Sequence, residues 1–76
     1  MAKRIKAVIN PKVAKKISIL KCPWDPMSNE AVAYAKKNEV FVYDPDVEVY
    51  DWQGHKYYAV IKDGVSGYMR AEAISQ

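Results

Sequence analysis

Side chains able to do chemistry are scarce in this 76-residue chain, which holds one cysteine, Cys22, and one histidine, His55. A lone thiol forms no internal disulfide, so the folded state must rest on its core alone. Four Cys or His ligands for a structural zinc ion are likewise lacking. Cys22 precedes Pro23 and has no partner base near it in sequence, so it reads as a small, half-buried strand-end residue rather than a nucleophile. No apolar run approaches the roughly 20 residues that cross a bilayer. The opening Met1-Ala2-Lys3-Arg4-Ile5-Lys6 carries charge without the apolar stretch of a secretion signal. Acids are missing from the first 24 residues, which hold seven Lys or Arg. The next segment, 25–51, reverses this with seven acids against Lys36 and Lys37. A net charge of +3 therefore conceals a basic beginning and an acidic middle, a dipole suited to head-to-tail contacts or to an anionic surface.

What is present is a series of short β-type runs within one domain, 1–76, small enough to remove only about 60% of its unfolded surface from water. Ile5-Lys6-Ala7-Val8-Ile9 reads as a first strand, closed by Asn10-Pro11. Ile17-Ser18-Ile19-Leu20-Lys21-Cys22 alternates apolar and polar residues as a second, and Pro23 and Pro26 make the next segment a loop. Residues 30–38 have helical propensity, yet Val32 and Tyr34 alternate with Ala31, Ala33 and Ala35, and the period favours a strand. A turn at Lys36-Lys37-Asn38-Glu39 comes next, then a strand Val40-Phe41-Val42-Tyr43. Asp44-Pro45-Asp46 is expected to interrupt that strand, with extended structure resuming over Val47–Trp52. The most informative stretch is Tyr57–Met69. Two β-rich runs flank Asp63-Gly64, a hairpin turn pair, and Gly67 falls where a bulge or a close backbone approach demands glycine. Arg70–Ile74 is expected to make a single turn before Ile74 docks. Short strands at close spacing, separated by turn residues, mean an all-β fold, a small barrel or sandwich.

This order resembles the bacterial SH3 (SH3b) family over roughly residues 5–74. The matching pieces are Ile17-Ser18-Ile19-Leu20 with Pro23 after it, Val32, and the turn Lys36-Lys37-Asn38-Glu39 leading into Val40-Phe41-Val42. The last is Tyr57-x-x-Val60…Asp63-Gly64-x-x-Gly67-Tyr68-Met69. Three departures stand out: Tyr57 where the family usually has Trp, Leu20 where it usually has Arg, and a longer connection over Asp44–Lys56. The resemblance implies an all-β fold, a small SH3-like barrel of five to six short antiparallel strands, acting as a non-catalytic module that binds cell-wall peptides or protein partners, with no cofactor. Stand-alone copies of this length also look like small proteins of bacteriophage structural regions. The expectation is therefore protein–protein interaction or self-association ahead of peptidoglycan binding, in the cytoplasm or a virion, with no membrane partner.

Nine aromatics exceed what so small a barrel can enclose, six of them tyrosines whose hydroxyls need partners. Trp24, Tyr50, Trp52 and Tyr57 are the expected ligand-binding set, a groove for an extended peptide or a partner chain. Trp24, fixed between Pro23 and Pro26, lies in the loop that the resemblance equates with the ligand-clasping loop of SH3 folds. The acidic series Asp44-x-Asp46-x-Glu48-x-x-Asp51 invites calcium, but Pro45 and the lack of a bending glycine argue for an aggregation-resistant edge instead. No catalytic residues are expected, because His55 has no obvious acid or nucleophile near it in sequence. Nucleic acid is the rival from another class: the basic first third and exposed rings suit it, while the acidic middle repels phosphate.

Overall fold

The computed structural model describes residues 4–75. Seven strands run in order: β1 (Ile5–Ile9), β2 (Lys16–Leu20), β3 (Ala31–Lys36), β4 (Phe41–Tyr50), β5 (Lys56–Lys62), β6 (Val65–Arg70) and β7 (Ile74–Ser75). A 3-10 turn, Ala71–Ala73, separates the last two. The strands form one curled antiparallel sheet in the order β3-β2-β6-β5-β4-β1-β7, a half-barrel. The all-β expectation holds, with seven strands rather than five or six, the seventh being only two residues long.

Alternation explains the core. Ala7 and Ile9 of β1, Ile19 of β2, Ala35 of β3, Phe41 and Tyr43 of β4, Val60 of β5 and Met69 of β6 all turn to the inside of the curl, with Ala73 from the turn. Ile5, Ile17, Ala33, Tyr58 and Ile74 pack against them. Residues 31–36 form a strand as their period suggested: Ala35 is buried and Ala33 packs against the core, opposite Ile17 and Ile19 respectively across the ladder. Helical propensity yields here to tertiary packing, as it commonly does.

At the β5–β6 hairpin, Asp63 and Gly64 both have positive φ, 51° and 78°, the signature of a type I′ turn. Asn38, at φ 70°, makes the bend between β3 and β4. Gly67 meets a different demand. A Cβ there would collide with Ile19 Cγ2 and lie 2.9 Å from the Leu20 carbonyl oxygen. Its missing side chain is what lets β2 cross close over β6, where Leu20 pairs with Tyr68.

One expected break is corrected. Asp44-Pro45-Asp46 does not end the strand, because β4 runs unbroken for ten residues. Its register against β5 slips between Asp44 and Glu48 instead, so the residues between them bulge out of the ladder. Pro45 lacks an N–H and therefore costs nothing where no ladder bond is called for. Asp44 Oδ1 accepts the Asp46 N–H at 2.9 Å and fixes the bend.

Candidate functional site

The connection from β4 to β5 is built around one carboxylate. Asp51 follows β4, and its Oδ1 accepts the backbone N–H groups of Gln53 and His55, both at 2.9 Å. Its Oδ2 receives the His55 ring Nδ1 at 3.0 Å and the Tyr57 hydroxyl at 3.1 Å. Gly54, at φ 87°, lets the chain turn back so that these donors converge. Burial by itself would push the Asp51 pKa up, but these four hydrogen bonds outweigh it and hold the carboxylate at about 2. With Asp51 ionised, the contact places the imidazole proton on Nδ1. Burial and the donation to Asp51 push the Tyr57 phenol upward, partly offset by the Arg70 charge.

Sequence reasoning missed this cluster. His55 does have an acid partner, four residues earlier. The signal was an Asp followed by Gly and His within a tight span, which brings a carboxylate and a ring together only if the turn closes on the Asp side chain.

The four aromatic candidates fall into separate places. Trp52, 55% exposed, sits within the turn that Asp51 organises, and Tyr50, 52% exposed, precedes it with its hydroxyl 3.5 Å from Glu48 Oε2. Tyr57 is only 7% exposed, so it supports the loop from beneath rather than presenting a ring to solvent. Trp24 is 45% exposed and meets Tyr68 edge-on, centroids 5.3 Å apart at 76°. Tyr68 belongs to β6 and lies opposite Ala59 of β5, so Trp24 extends the outer face of the sheet. Among the described residues no ring contact joins Trp24 to Tyr50, Trp52 or Tyr57.

Two concavities accompany these rings. A shallow depression of about 240 Å³ on the outer face is lined by Lys21, Ala59, Ile61, Ser66 and Tyr68. A notch of about 330 Å³ lies between the Asp51 loop and the 3-10 turn, lined by Gly54, His55, Lys56, Arg70 and Glu72. Arg70 and Glu72 pair across it at 2.6 Å. Chemically, the chain offers exposed rings at two separate places, Trp24 against Tyr68, and Tyr50 with Trp52 beside the Asp51 turn. Among the described residues no three His, Cys, Asp or Glu side chains are placed to hold a metal ion, and no helix is long and apolar enough to cross a membrane. Comparison with known proteins finds no matching family model, no matching curated protein and no matching solved structure.

Proposed function

We propose that this protein is a non-catalytic binding and assembly module of the SH3-like kind, whose ligand is an extended polypeptide. The observation that carries the reading is the exposure of Trp24 in its loop, of Trp52 in the turn that Asp51 organises, and of Tyr50 at the end of β4. Large rings left in water are a characteristic of recognition surfaces, because they offer contact area at low conformational cost. The order of elements supports the SH3-like part: a three-strand meander β4-β5-β6, a 3-10 turn, then a last strand that returns to pair with the first. The Asp51–His55 pair does not favour catalysis, since the carboxylate already accepts four structural donors and its third partner is a phenol of raised pKa.

Selection of peptides from a random library against the intact protein tests the reading. An enriched sequence whose binding persists at high salt and disappears in Trp24→Ala and Trp52→Ala, with the folded spectrum retained, is the expected result. Parallel sedimentation with bacterial cell-wall sacculi assigns the ligand: retention lost in the same variants identifies a wall peptide, and no retention identifies a partner protein. No enriched peptide together with no retention overturns the proposal.

A further inference from the structure

Two clusters of like charge, or poles, without ion-pair partners among the described residues stand out on the sheet. Lys16 and Lys36 lie directly opposite each other across β2 and β3, and just beyond them the Lys37 N–H donates to the Lys15 carbonyl at 3.1 Å. With Lys12 in the preceding turn, five exposed lysines belong to the open end of this hairpin and its approach. Like charges directly opposite one another destabilise a sheet. None of the five enters an ion pair among the described residues. Glu39, close by in sequence, is committed elsewhere: its Oε1 accepts the Lys36 backbone N–H at 2.7 Å and faces Lys62 Nζ at 3.6 Å. Lys16 Nζ lies 4.7 Å from the centre of the Tyr34 ring, which stays exposed beneath it.

The second pole is the far half of β4. Asp46 and Glu48 are exposed there, beside exposed Val47 and Tyr50. Lys56 feels the charge of Glu48, but its ammonium is held over the Tyr58 ring, 5.1 Å from the centroid. The short link after β3 puts the lysine pole beside the start of β4, and the acidic arm follows at the bulge between Asp44 and Glu48. Among the described residues no ion pair joins the two poles within one molecule.

We propose that the chain self-associates head to tail, the lysine pole of one copy docking on the Asp46–Glu48 arm of the next. The proposal rests on the assembly reading above and names its partner as a second copy. Because the two surfaces differ, the contact is heterologous, and each added copy leaves a pole free, giving open chains or rings rather than a two-fold dimer. Exposed apolar area accompanies both charge sets, Tyr34 with the lysines, Val47 and Tyr50 with the acids. Such area supplies the desolvation that opposite charges alone lack. A nucleic acid or an anionic lipid surface would use the lysine pole and leave the acidic arm idle, whereas a second copy uses both.

Sedimentation velocity of the intact protein from about 0.01 M to about 1 M ionic strength, over which the screening length falls from about 30 Å to about 3 Å, is the test. The wild type should form concentration-dependent oligomers at low salt that revert to monomer at high salt. Two variants remove one pole each: Lys15→Gln, Lys16→Gln, Lys36→Gln and Lys37→Gln together, and Asp46→Asn with Glu48→Gln. Each should be monomeric alone, and their mixture should give heterodimers that grow no further, since each supplies the pole the other lacks. All six side chains are exposed, so both variants should keep the folded spectrum. A wild type monomeric at low salt, or oligomers that survive either set of substitutions, overturns the proposal. Binding to a single-stranded oligonucleotide or to anionic vesicles without self-association also overturns it and assigns the lysines to a polyanion. Loss of self-association with peptide selection intact sinks this inference alone, and the reverse result sinks only the aromatic reading.

Discussion

Replacing Gly67 by alanine probes the closest approach in the sheet. Gly67 is buried and its φ is not positive, so alanine fits the backbone and the effect comes from space alone. The added methyl would meet Ile19 Cγ2, lie 2.9 Å from the Leu20 carbonyl oxygen and 3.1 Å from Val32 Cγ2. Val32 has room to yield, being partly exposed, but Ile19 is fully buried and the Leu20 carbonyl is backbone. Overpacking of this kind costs about 1–3 kcal/mol. Two of the three neighbours cannot retreat, which places Gly67→Ala in the upper part of that range. The stiffer unfolded chain returns about 0.4–1 kcal/mol. The net loss is then about 2 kcal/mol, against a total stability of about 4–11 kcal/mol for a chain of this length. Such a loss lowers Tm by about 8–16 °C. Urea unfolding followed by tryptophan fluorescence should show the midpoint falling with unchanged slope, the mark of altered stability rather than altered compactness. Adding Ile19→Ala, which removes the clashing methyl, should make the double variant less unstable than the two single losses combined. Unchanged or raised stability in Gly67→Ala would refute the crossing of β2 over β6.

Acid should act through Asp51. Its carboxyl sits at about 2 in the folded chain against an ordinary 3.8, so the unfolded state binds the proton first as pH falls. The stabilisation from this group is therefore complete above about pH 4 and disappears toward pH 2; Asp51→Asn should flatten that part of the stability–pH curve, and an unchanged curve would show the hydrogen bonds to be weak. Gly64→Ala should cost about 1 kcal/mol, because nothing lies within 4 Å to obstruct a methyl and the penalty is the φ of 78° alone. Asparagine at the same position should be better tolerated than alanine, and equal stabilities would mean the turn is not type I′.

The hairpin, the inward-facing alternation and the short last turn were legible because each is local: a period of two, a turn pair, a glycine before an aromatic. Residues 31–36 were harder, since Ala-rich sequence suits a helix equally, and only the neighbouring strands decide in favour of the sheet. Pro45 misled because proline marks an ending in sequence, whereas a bulge accommodates it within a strand. Among the candidate site residues, Trp24, Tyr50 and Trp52 lie exposed as expected. Tyr57 does not, because its hydroxyl donates to a carboxylate six residues back, which holds the ring beneath the loop. Side-chain closure of a turn leaves almost no trace in a one-dimensional pattern, so the Asp51 cluster went unseen.

The position of β1 between β4 and β7 bears on how the protein is made. This strand emerges from the ribosome first, yet one neighbour is synthesised some thirty residues later and the other more than sixty. At about 5–20 residues per second, its wait for the second neighbour lasts roughly 3–13 s. Until β4 is made, the row of Ile5, Ala7 and Ile9 has no strand to pair with, and after that β1 keeps one open edge until β7 follows. Arg4 and Lys6 flank and interrupt that row with positive charge. Charge placed within and beside an apolar strand in this way is the kind of gatekeeper that disfavours premature edge pairing.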